Sequence, residues 1–156
     1  MKIYNFGREA RTVLIHILDL LGYSSSSEIR LLGGYSGNVY EIIAKEPIVI
    51  KIFNKEVDSE ERVMSEVEWT NFLSEHGLNV IVPILIKGSY INNLSETLFF
   101  IAYKKARGSH IDVNNKDVWN NKLFNRWGQG MGTMHALSKL YKGKRDQNGM
   151  NKIFII

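Results

Sequence analysis

Two short apolar runs, residues 29–32 and 39–44, flank the stretch Gly33, Gly34, Tyr35, Ser36, Gly37, Asn38, which restricts the fold more than any other part of the chain. Glycine in a helix interior costs about 1 kcal/mol relative to alanine, so this stretch disfavours a helix. It also lets the backbone reverse within a few residues. The flanking runs are short and rich in Ile, Leu and Val, which predicts strands. Lys45, Glu46 and Pro47 form the next turn, and residues 48–53 form a third, β-branched strand. The centre of the chain is therefore a three-strand meander with a glycine-rich first hairpin.

Around it the hydrophobic period changes. Val13, Leu14, Ile17, Leu18 and Leu21 recur at helical spacing, predicting an amphipathic helix over about residues 7–21 that ends at Gly22. A second helix is expected over residues 59–76. Ser59 caps it, Glu60 and Glu61 stand where the helix dipole favours acids, and Gly77 stops it. Val63 and Val67 mark its apolar face, with Phe72 and Leu73 beside it. Residues 80–90 and 97–103 read as two further strands joined by a loop over 91–96. A long helix over residues 117–141 puts Leu123, Trp127, Met131, Met134 and Leu137 on one side. The resulting class is α+β, in the order helix, three strands, helix, two strands, helix, without internal repeats.

Composition excludes several functions. The chain has no cysteine, so disulfides and thiolate metal sites are ruled out, in agreement with a reducing compartment. No apolar run approaches the length that spans a bilayer, and no signal-peptide pattern opens the sequence, so no membrane partner and a cytoplasmic location are expected. The net charge of +4 is spread among alternating acids and bases, which argues for a solvated surface and against a nucleic-acid partner.

Four features bear on chemistry. A triphosphate needs backbone N–H groups at close range, and Gly33, Gly34, Ser36, Gly37 and Asn38 allow that approach, with Val39 offering apolar surface above a base. Taken alone, the same residues describe an ordinary tight hairpin. Lys51 is the one charged residue in an otherwise apolar strand, so it lies either on a solvated face or in a cleft. Protein kinases place a phosphate-binding lysine on the strand after a glycine-rich hairpin, paired with a glutamate of the next helix. Glu66 and Glu68 are available for that role. Glu66 lies at the edge of the apolar stripe and is favoured, while Glu68 is expected nearer solvent. Finally, residues 99–108 form an apolar strand ending in a polar link, as in a kinase hinge that reads a base through its backbone.

With these pieces in order, the chain resembles the aminoglycoside phosphotransferase and choline kinase-like family. The likeness is carried by LLGGYSGNVYEI, PIVIKIF, SEVEWTNFLSEHGLNVIVPI, FFIAYKKARG and WGQGMGTMHALSK, across residues 28 to 141. The resemblance implies a kinase-like N-terminal lobe, a sheet of about five strands plus one helix, over residues 28–108. A helix and linker would precede it over 1–27, and the start of a helical second lobe would follow over 109–156. It further implies that residues 33–38 cover the phosphates of ATP (or GTP) with Mg2+, that Lys51 binds them and that Glu66 anchors Lys51. Tyr103 would precede the hinge, and the backbones of Lys104 and Ala106 would meet the base. The partners implied are a nucleotide and a small molecule bearing the hydroxyl acceptor.

The family's catalytic loop, H-x-D with a later asparagine and a metal-binding aspartate, has no counterpart in these residues, so no catalytic or metal-ligating residue is assigned. The triplet His110, Ile111, Asp112 comes before the helix it should follow, and Asp117 stands where asparagine is needed. Capping or surface charge fits Asp112 and Asp117 better. The ending at Ile153, Phe154, Ile155 and Ile156 reads as a truncated or frameshifted product, inactive alone. The competing reading is a non-catalytic nucleotide- or protein-binding module that self-associates through Trp127, Met131 and Met134. Gly128, Gly130 and Gly132 are expected to serve close packing of the last helix, and His135 to be packed or interfacial.

Overall fold

The computed structural model describes residues 8–33, 38–108 and 111–143. Helix α1 (Arg8–Leu20) is followed by strands β1 (Ile29–Gly33), β2 (Val39–Ile42) and β3 (Ile48–Asn54). Helix α2 (Glu60–Glu75), strands β4 (Asn92–Asn93) and β5 (Leu98–Lys104) and helix α3 (Asn121–Ser138) complete the order. The chain divides into two compact units, residues 1–67 with 81–106, and residues 68–80 with 107–156.

The first unit holds one sheet in the order β1-β2-β3-β5-β4, with every neighbouring pair antiparallel. Residues directly opposite one another share a face of such a sheet, and alternate residues face opposite ways. One face carries Tyr40, Ile42, Ile50, Ile52, Phe100 and Ala102, and it packs with Ile17 and Leu18 of α1. Sequence periodicity placed these α1 residues correctly. The other face carries Phe53, Phe99 and Ile101, covered by Val63 and Val67 of α2. The Phe53 and Phe99 rings stack at 4.9 Å. Fully burying a side chain of this size contributes about 1.5–3 kcal/mol, so each face adds several such increments to this unit's stability.

The Ser59 hydroxyl accepts the Arg62 N–H at 3.1 Å, capping α2 as expected. At its other end the Gly77 N–H donates to the Ser74 carbonyl and the Leu78 N–H to the Leu73 carbonyl, both at 3.0 Å. This pair of bonds closes a helix on a left-handed glycine.

Several expectations need correction. Residues 80–90 do not form a strand. Pro83 lacks an N–H and makes a single bridge to Tyr103, Ile84 donates to the Ala102 carbonyl at 2.8 Å, and the chain reverses at Lys87 and Gly88 (φ 51 and 84). The strand lies instead in the expected loop, where Asn92 and Asn93 pair with Phe100 and Phe99. The last helix begins at Asn121, later than residue 117, because the Asn120 side chain accepts the N–H groups of Lys122 and Leu123. Gly128, Gly130 and Gly132 are not close-packing positions among the described residues, since a Cβ at each would meet nothing within 4 Å.

The second unit gathers Trp69, Phe72 and Tyr141, with ring centroids 4.9–5.7 Å apart. None of the α3 residues is buried, His135 is exposed and so not packed, one of the two places expected for it, and Trp127 keeps 58% of its surface. Among the described residues no helix is long and apolar enough to cross a membrane.

Candidate functional site

Lys51 occupies the middle of β3, opposite Val39 of β2 and Ile101 of β5. That register settles which way it faces. It shares the face of Phe53, Phe99 and Ile101, the one that α2 covers. The Lys51 ammonium sits over the Phe53 ring, 4.8 Å from its centroid, an arrangement that favours the cation without neutralising it. Tyr103, opposite Val49, lies on the same face and packs against the same cluster. Burial pushes the Tyr103 phenol up from its ordinary pKa, and the Glu66 charge pushes it further. Glu66 thus acts on the face that carries Lys51. Its recorded ion pair is with Arg62 at 3.7 Å, one turn back along α2, and its side chain is 56% exposed. Glu68, expected nearer solvent, is the less exposed of the two acids.

Asn38 and Gly33 are the roots of the glycine stretch. Gly33 has φ 98, a left-handed conformation that a side chain would strain, and the β1–β2 register shifts between Leu31 and Gly33. Asn38 is buried. Its side-chain amide donates to the Ile52 carbonyl at 2.5 Å, while its own carbonyl accepts the Ile52 N–H at 3.0 Å. The Asn38 side chain is therefore engaged by β3. Gly34, Ser36 and Gly37 lie outside the described residues.

On the hinge side β5 ends at Lys104, opposite Ile48, and Lys104 and Ala106 are both exposed. The Lys105 N–H donates to the Pro47 carbonyl at 3.0 Å. Of the triplet around residue 111, His110 lies outside the described residues. The Asp112 carboxylate accepts the Asn114 N–H at 2.9 Å, the turn-capping role expected of it. Among the described residues no three His, Asp or Glu side chains gather where they could hold a metal ion.

One residue escaped sequence reasoning. Glu41, on the same sheet face as Val39 and Lys51, is buried, with 4% of its side chain exposed. The Lys105 ammonium lies 2.6 Å from Oε1, and the Arg30 guanidinium 3.2 Å from Oε2, an ion pair without the alignment of a hydrogen bond. The hydrogen bond from Lys105 holds the carboxyl below the usual carboxylate range against the opposing effect of burial, and the charges of Lys105 and Arg30 add to it. The signal that picked out Lys51, a charge inside an apolar strand, applies equally to Glu41.

An antiparallel sheet with a helix on one face, a lysine on the central strand of that face and a hinge-like exit from the last long strand defines a lobe of the protein-kinase kind. The chain belongs to the phosphotransferase enzyme family, whose pattern it matches over residues 28–149. It is 29% identical over 124 residues to amicoumacin kinase of Bacillus subtilis (strain 168), a match covering 76% of this chain and 36% of that protein. Among solved structures it is similar to amicoumacin kinase hAmiN in complex with AMP-PNP, Ca2+ and Ami. The TM-score is 0.72 at 23% identity, over 89% of this chain and 44% of the other. The chain thus spans well under two thirds of either relative, and the second likeness establishes the fold.

Proposed function

We propose that this chain is the nucleotide-binding portion of an ATP-dependent small-molecule phosphotransferase. The observation that carries this reading is the position of Lys51, on the central strand and on the sheet face that α2 covers, with the Glu66 charge acting on the same face. A lysine there is an ammonium without an exposed strand's usual surroundings, and the chemistry of a polyphosphate fits it. Glu66 would orient Lys51. The backbones of Gly33 and its neighbours would approach the phosphates, and those of Lys104 and Ala106 would read the base, adenine or guanine. Bound nucleotide would supply a γ-phosphoryl group for transfer to a hydroxyl on a small molecule. Among the described residues no cluster of acids and histidines stands ready to hold magnesium.

The relatives named for amicoumacin make that compound the first acceptor to try with a complete enzyme. The sequence holds no catalytic loop of the family's form, so the chain alone should bind nucleotide without turning it over. The reading also places the protein in the cytoplasm, where ATP is available.

The test is calorimetric titration of ATP into the chain and into Lys51→Ala. Losing a hydrogen-bonded charge costs about 1.5–3 kcal/mol, so the variant should bind roughly tenfold to a hundredfold more weakly. Equal affinities would remove Lys51 from the site, and γ-phosphate transfer by the chain would overturn its inactivity. A second reading, a module that self-associates through α3, is favoured by the exposure of Trp127 and Met131 on a helix with no buried residue. A sedimentation coefficient independent of concentration would sink it.

A further inference from the structure

The ion cluster at Glu41 lies outside the phosphate chemistry described above, yet it touches the segment proposed to read the base. Along β5 the backbone groups alternate between the two edges of the strand. The Lys105 N–H is directed to the Pro47 carbonyl, towards β3, whereas the Ala102 carbonyl accepts from Ile84 on the opposite edge. The same alternation places the Lys104 backbone, at the end of β5, on the Ala102 edge. Lys105 is thus the residue that turns towards Pro47, between the two proposed to meet the base.

Its side chain is held as well. The ammonium bonds to Glu41 at 2.6 Å, and Arg30 of β1 flanks the carboxylate at 3.2 Å. Two bonds, one from the backbone and one from the side chain, therefore fix Lys105 to the β2 strand and to the turn that follows it. A hydrogen bond between full charges is the stronger kind, and this one ends on a carboxylate that the fold buries. Ordering such a segment before the ligand arrives removes a cost from binding.

We propose that Glu41 is a positioning residue for base recognition: through Lys105, with the Arg30 charge beside its other oxygen, it fixes the 104–106 backbone proposed to meet the base. The inference rests on the nucleotide reading of the site and adds a determinant that the phosphates do not feel. Lys51 addresses the triphosphate, and the Glu41–Lys105 clamp addresses the base.

The experiment compares ATP with inorganic tripolyphosphate, which lacks the base, by calorimetric titration into the wild-type chain, Lys105→Met, Lys105→Arg and Glu41→Gln. The clamp predicts about a tenfold loss of ATP affinity in Lys105→Met and Glu41→Gln, with tripolyphosphate affinity unchanged. Lys105→Arg, which keeps the charge and the reach, should retain ATP affinity. Thermal unfolding of each variant checks the fold. Should Glu41→Gln fail to fold, Lys105→Met carries the test, because its side chain is 39% exposed. The proposal is overturned if Lys105→Met binds ATP as well as wild type does, or if both ligands weaken together. A wild-type chain that binds tripolyphosphate as tightly as ATP has no base site and also overturns it. A wild-type chain that binds neither ligand refutes the nucleotide reading itself, a result distinct from the others.

Discussion

At the scale of single residues, Asn38 and Glu41 show how polar groups are made tolerable inside this sheet. Replacing Asn38 with alanine removes the donor to the Ile52 carbonyl and leaves that oxygen buried without its partner. The expected cost is about 1–3 kcal/mol, read as a lower midpoint in urea with an unchanged slope. Glu41 makes a pH-dependent contribution. Its folded-state pKa lies below the ordinary value of 4.5, so the fold prefers the ionised form. That stability is complete above the ordinary value and is lost as pH falls through the lowered one. Glu41→Gln should therefore be less stable than wild type at neutral pH, with the gap closing during acid titration followed by circular dichroism. Lys51 was legible as a candidate because it interrupts an apolar run, but alternation alone cannot say which face a strand residue takes. Pairing with Val39 and Ile101 decides that, and pairing is a long-range fact. Glu41 went unread for the same reason, since its partner Lys105 stands 64 positions away.

Among the elements, those with strong local signals were placed correctly and those governed by single polar groups were not. Ser59 and Gly77 bounded α2 from sequence because a cap and a left-handed stop act within a few residues. The apolar residues 80–86 promised a strand, but Pro83 offers no donor to a ladder, and the pairing passed to Asn92 and Asn93, which have low strand propensity. Tertiary pairing with Phe99 and Phe100 outweighed that propensity. The start of α3 was missed because Asn120 has two roles open to it, and only the structure shows it accepting from Lys122 and Leu123. The glycines of α3 give a direct test. With open space around each Cβ position, Gly128→Ala should raise stability by up to about 1 kcal/mol, seen as a higher thermal midpoint and more helical circular dichroism. A loss of stability would mean that this face is packed.

For the molecule as a whole, stability is unevenly distributed. β3 is paired on both sides and buried on both faces, whereas α3 buries none of its residues. Helices that lack tertiary packing are marginal in water, so amide exchange should be slower in β3 and β5 than across α3 by roughly a hundredfold or more. Equal protection would show that α3 is covered in solution. The two hydrogen bonds between Asn38 and Ile52 tie two parts of the candidate site together. Ile52 is the residue after Lys51, so one root of the glycine stretch is bolted to the strand that carries the lysine. The spacing between Asn38 and the Lys51 backbone is then a dimension of the sheet, and a ligand that reaches from one to the other meets two points already held in register.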